Sequence, residues 1–143
     1  MTDSIHPASS PDELSRAAPQ ASALLRAITA AYTFVALADG QMDHREENRF
    51  LKFIENTPEL GPSTLEDARV LWAALTKTLR ADYATGVDIA HREIRRMVGL
   101  RSESDLVVRA AQIAIVADGT LVPAEEAALR RICSTLGVNS ESH

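Results

Sequence analysis

Apolar residues recur along most of this chain at alternating steps of three and four, and no stretch sustains a two-residue alternation rich in β-branched side chains. That period sets side chains on one face of an α-helix, so the fold class is all-α. Leu24, Ile28, Ala31, Val35 and Ala38 form the first stripe, and Gly40 follows as a residue suited to a left-handed helix exit. Within it "AITAAYTFVALA" (27–38) is apolar almost all round. It is too short for the ~18 apolar residues of a membrane span and fits a buried central helix.

The same spacing marks five further helices. One starts at Asp43, where "DHRE" sets a cap aspartate three residues before Glu46, and it buries Phe50, Phe53 and Ile54 before "NTPELGP" ends it. The next opens on Ser63 and Glu66 and turns Leu65, Ala68, Trp72, Leu75 and Leu79 inward. A fourth covers roughly 83–98, with Val87, Ala90, Ile94 and Met97 inside and Gly99 closing it. "SESD" at 102–105 opens a fifth, central like the first, with Leu106, Ala110, Ile113 and Ala117 on one face and Val107, Ala114 and Val116 widening it. The last has Pro123 at its first position, Leu129, Ile132, Cys133 and Leu136 on its stripe, and Gly137 at its end. With a helical turn in "PDELSRAA", this makes a compact bundle of about six to seven helices. Residues 1–19 read as a flexible tail, 20–138 as one helical domain, and 139–143 as a second tail.

Composition narrows the function. A net charge of −5 opposes nucleic-acid binding, which asks for a basic surface. One cysteine allows no internal disulfide, and the start of the chain lacks a signal-peptide pattern, so the expected location is cytoplasmic. There is no Gly-rich phosphate loop, no nucleophile beside a base and no zinc-type Cys/His cluster, so an enzyme is not expected. A hydrolase using paired carboxylates with a metal is the weakest of the rivals.

One motif is written twice. "ADGQMDHREE" (38–47) and "ADGTLVPAEE" (117–126) share Asp, Gly, an inward apolar residue and two Glu, and the same offset separates Asp39 from Asp118 and Glu46 from Glu125. This makes a helix–DG turn–helix pseudo-repeat. As mere connectors, Gly40 and Gly119 end helices, Met42 and Leu121 plug the turns, and the glutamates favour a helix start at about 1 kcal/mol per cap. Asp39 and Asp118 then sit at helix C-termini, where the dipole disfavours them by about 0.3–1 kcal/mol. Either turn N–H groups hold them, as in an Asx turn, or a cation does.

Asp-Gly-x-apolar-x-x-x-Glu is the latter half of an EF-hand calcium loop. On that spacing Asp39, the Gln41 carbonyl, Asp43 and Glu46 face a cation, as do Asp118, the Thr120 carbonyl and Glu125. The first half is missing, because its ligand positions fall on Val35 and Leu37 and on Ala114 and Val116. Val122 replaces Asp43 in the second copy. Neither copy is an EF-hand, and neither alone offers the about six to eight oxygens that calcium takes. A filled site needs water, Glu47 or Glu126, or the other copy.

The two turns, Ala38-Asp39-Gly40 and Ala117-Asp118-Gly119, each with an apolar residue two positions on and a Glu seven after the Asp, carry a resemblance. Over roughly 21–138 the chain resembles the tellurite-resistance TerB-like proteins. That resemblance implies an all-helical bundle with an internal pseudo-repeat whose acidic turns bind divalent cations, and a place in resistance to tellurite and other chemical stress. Domains of this family also occur joined to co-chaperone J domains, whose His-Pro-Asp tripeptide this chain lacks. The family's acids fall on Asp39, Glu46, Asp118 and Glu125, and Val122 is the departure.

The resulting expectation is a non-enzymatic, cation-binding helical domain. Its metal ligands are Asp39, Asp43, Glu46, Asp118 and Glu125, and its ion is Ca²⁺ or another oxygen-preferring cation, Mg²⁺ or Mn²⁺. The alternative is an adaptor with purely structural DG turns and a protein partner, docked through Arg92, Arg95 and Arg96 with Arg101 beyond. Those arginines also leave room for peripheral membrane association. His91 is expected on the surface and Cys133 in the core. Trp72, Tyr32 and Tyr83 belong to helix cores or their margins.

Overall fold

The computed structural model describes residues 13–38, 44–61, 65–116 and 123–138. Among them are seven α-helices and no strand: α1 (Glu13–Ala17), α2 (Ala23–Ala36), α3 (His44–Glu55), α4 (Leu65–Ala81), α5 (Tyr83–Arg95), α6 (Arg101–Val116) and α7 (Pro123–Leu136). A 3₁₀ turn, Pro58–Leu60, follows α3. The chain is therefore all-α, as its apolar period requires.

α2 is the hub. It packs against α3, α4, α5, α6 and α7, most extensively against α5 and α6. Every residue from Ala27 to Ala36 is buried. Small side chains at Ala27, Ala30, Ala31 and Ala36 let neighbouring helices approach. The two threonines in this run donate their hydroxyls back along the helix, Thr29 to the Leu25 carbonyl and Thr33 to the Thr29 carbonyl, both at 2.8 Å. That satisfies groups that would otherwise cost about 1–3 kcal/mol each when buried.

An aromatic cluster joins α2, α3 and α4. Tyr32 meets Phe50 and Trp72 edge-on, with centroids 5.4 and 5.8 Å apart, while Phe50 stacks on Trp72 at 4.9 Å. These spacings lie in the favourable range for aromatic pairs. Tyr32 and Trp72 are thus core residues, but Tyr83 is largely exposed. α6 buries a broad apolar stripe, as its pattern predicts, with Leu106, Val107, Val108, Ala110, Ala111 and Ala114 buried. Ile113, expected inward, is only partly covered.

Helix boundaries follow local chemistry, with some shifts. Ser22 caps α2 by accepting the Leu25 N–H at 3.1 Å. Asp82 caps α5 in the same way from Thr85. α7 begins on Pro123, and Gly137 at φ +74° ends it. There Val138 N–H donates to the Cys133 carbonyl and Gly137 N–H to that of Ser134, which is the Schellman arrangement. α6 starts one residue before the expected "SESD" cap, so Ser102 is already helical. Ser104 instead donates to the Met97 carbonyl at 2.8 Å, tying α6 back to the end of α5. The expected Ser63 cap lies outside the described residues.

α1 falls within the stretch expected as a tail. It packs on α4, and Leu14 and Ala18 are buried. α4 and α5, expected as separate helices, are divided only by Asp82, and they approach so closely at Gly86 that a Cβ there would lie 2.6 Å from Leu79 Cδ2.

Candidate metal centre

Two glutamates stand at the same position within their helices. Glu46 is the third residue of α3 and Glu125 the third of α7. Each opens a tandem pair, Glu46-Glu47 and Glu125-Glu126, and in each pair the first residue is turned inward. Glu46 is 7% exposed and Glu125 only 1%. Their successors face outward: Glu47 is partly exposed, and Glu126 is exposed and pairs with Arg130 one turn on at 3.8 Å.

Helical geometry explains the choice. Glu46 lies four residues before Phe50, and Glu125 lies three before Ala128, so both share a face with core residues. A helix N-terminus is also the favourable end for a carboxylate. Both glutamates take part in further interactions of the fold. α3 and α7 each pack against α2 and α6.

The remaining expected ligands, Asp39, Asp43 and Asp118, lie outside the described residues, as do both DG turns with the Gln41 and Thr120 carbonyls. Among the described residues no group of three or more His, Cys, Asp or Glu side chains is placed to hold a metal. The two buried carboxylates are hard oxygen donors and fit an oxygen-preferring divalent cation; they do not fit a thiophilic one. Cys133 is a core thiol whose pKa is raised by burial.

Two buried polar residues were not anticipated as such. His91, expected on the surface, is buried on α5 between α2 and α7. Its Nδ1 lies 3.1 Å from Thr135 Oγ1, and its ring meets Phe34 edge-on at 4.8 Å. The spacing contained the signal: Val87, Ala90, His91 and Ile94 share one face, and the other three are apolar. Glu93 is buried on the adjacent stripe between Ile89 and Met97. Its Oε1 lies 3.6 Å from Arg26 Nε on α2 and 3.3 Å from Arg96 Nε. One member of the arginine spot is thus committed to an internal acid, while Arg92, Arg95 and Arg101 are exposed.

No helix among the described residues is long and apolar enough to cross a membrane. The geometry defines a helical-bundle domain with a buried glutamate at the start of each of two helices. Over residues 25–143 the sequence matches the family model for tellurite resistance protein TerB, and the chain belongs to that family. No curated protein and no solved structure gives a significant match.

Proposed function

We propose that this TerB-family domain acts by binding, not turnover. It holds Ca²⁺, or another oxygen-preferring divalent cation such as Mg²⁺ or Mn²⁺, through its acidic turns, in a cytoplasmic response to tellurite or related chemical stress. The observation that carries this reading is the burial of Glu46 and Glu125. An N-terminal capping role asks for no more than a solvent-washed carboxylate, whereas these two are closed off from water at equivalent positions. Glu125 is the more buried of the two.

Glu46 and Glu125 would each offer one or two oxygens. On sequence spacing, Asp39, Asp43 and Asp118 with the Gln41 and Thr120 carbonyls supply the rest. A bound cation would supply positive charge against these acids and join the end of one helix to the start of the next.

The test is thermal unfolding of chelator-stripped protein with and without millimolar Ca²⁺, Mg²⁺ or Mn²⁺, repeated on Asp39→Asn/Asp118→Asn. A cation at 100 times its dissociation constant stabilises the native state by about 2.7 kcal/mol. A rise in the midpoint that disappears in the variant supports the reading. No rise with any of the three ions sinks it.

The adaptor alternative draws on a different observation. At the corner between α5 and α6, Val98 and Leu100 are 51% and 45% exposed beside Arg92, Arg95 and Arg101. It predicts no response to cations and loss of a protein partner on Arg92→Ala/Arg95→Ala.

A further inference from the structure

α3 and α6 leave a groove of about 560 Å³ between them, open along one side. Its size falls within the ~300–1,000 Å³ range of functional pockets. Phe53, Leu106 and Ile113 form an apolar floor, closed at one end by the 3₁₀ turn at Pro58. Arg49 and Lys52 from α3 and Arg109 from α6 stand on the two walls. Among the described residues no ion pair engages any of these three cations.

The feature is unusual for this chain in two respects. The protein carries a net charge of −5, yet this groove gathers three cations against a single acid, Glu59. Most apolar residues of α6 are buried, yet Ile113, on its apolar period, stays partly open to the groove. Each wall runs over seven helical steps, Arg49 to Asn56 and Leu106 to Ile113, or about 10 Å at the helical rise. Two helix walls of that length match about two turns of a third helix laid between them.

We propose that the groove between α3 and α6 docks an acidic amphipathic helix of a protein partner. Two apolar side chains of that helix, one turn apart, enter between Phe53, Leu106 and Ile113, while its Asp and Glu residues meet Arg49, Lys52 and Arg109. Charge complementarity selects this occupant. The cations are distributed over both walls, which suits several separate carboxylates better than one headgroup. An acyl chain would lie half wet in a groove open on one side. An anionic membrane surface would meet Glu59 and the overall negative charge of the protein. This surface is independent of the acidic turns, so it stands whether or not they bind a cation.

The experiment screens the full-length protein against a displayed library of short helical peptides with unbiased surface charge. The selected peptides are then titrated by NMR and by calorimetry. The proposal expects selected sequences with two apolar residues three or four positions apart flanked by Asp or Glu, and amide shifts confined to α3, α6 and the 3₁₀ turn. Arg49→Glu/Arg109→Glu should weaken binding roughly tenfold or more with helicity by circular dichroism unchanged. Lys52→Glu, at an exposed position, serves as a single reversal should the double variant lose its fold. Selection of no peptide, of neutral or basic peptides, or of peptides that shift other surfaces would overturn it. A second arm uses phosphatidylglycerol-containing vesicles, and vesicle binding through the same residues in place of peptide binding would replace a protein partner with a membrane.

Discussion

His91 Nδ1 and Thr135 Oγ1 lie 3.1 Å apart, joining α5 to α7 beneath the ring of Phe34. Nothing in the sequence between those two residues announces the pairing. It places an ionisable ring in the interior, with consequences for stability.

The His91 pKa is pushed down to about 4, first by burial, then by the guanidinium groups of Arg131 and Arg95, with Asp88 pulling it back up. The folded value lies below the ~6.5 of an unfolded histidine, so the unfolded chain takes up the proton first. The stability gained by keeping His91 neutral is full above about pH 6.5, drains away as pH falls toward 4, and is gone below that. The loss over that window is roughly 3 kcal/mol. Urea unfolding of the wild type and His91→Leu across this range should give a visibly flatter profile for the variant. Parallel profiles would show that His91 does not titrate in this way.

Gly86→Ala should destabilise the fold although alanine is the better helix former. The propensity gain is about 1 kcal/mol. Against it, the new Cβ would sit 2.8 Å from the Leu79 Cα, a backbone atom that cannot swing aside. Overpacking of this kind costs about 1–3 kcal/mol. A fall in the unfolding midpoint is the expected result, and a rise would mean that α4 and α5 separate freely at this contact.

Glu93→Ala should be among the more damaging single changes, since it leaves Arg26 with its charge mostly covered and its partner gone. Breaking such a pair from one side costs about 3–5 kcal/mol when fully buried, and somewhat less here because Arg26 retains some exposure. Arg96→Ala should cost no more than about 1 kcal/mol, because that arginine is half exposed. Arg26→Met/Glu93→Leu should recover most of the loss. Denaturant midpoints on the wild type and these three variants check the set, and equal losses for Glu93→Ala and Arg96→Ala would contradict the assigned roles.

Glu125→Gln separates a cap from a ligand. As a cap, Glu125 gains from the helix dipole, and its neutral isostere should lose about 0.3–1 kcal/mol in metal-free protein. As a ligand, its charge is matched only when a cation is bound, and Gln should leave metal-free stability unchanged or higher while reducing the stabilisation by added cation. Thermal midpoints with and without Ca²⁺ distinguish the two.

The candidate site was legible only to the extent that local spacing could carry it. Glu46 and Glu125 could be singled out because each stands at a fixed distance from a DG pair and three residues into a helix. Their depth could not be read. Glu46 and Glu47 are adjacent and chemically identical, and only the packing of α3 decides which one faces inward. The groove was illegible for a related reason: Arg49 and Arg109 lie on different helices, sixty positions apart in number, and the periodicity of each helix says nothing of the other.

The sequence by itself determined the helices. Period, Pro123 at a helix start and Gly137 at a helix end act through neighbours within one turn, and those interactions are encoded locally. It also determined that α2 and α6 are central, because an apolar surface all round a helix has no stable arrangement except enclosure. Only the tertiary structure decided which polar groups are buried. His91 and Glu93 lie inside because Thr135 on α7 and Arg26 on α2 come within reach of them. A polar group enters a core when a partner offsets its lost hydration, and here both partners come from helices distant in the chain.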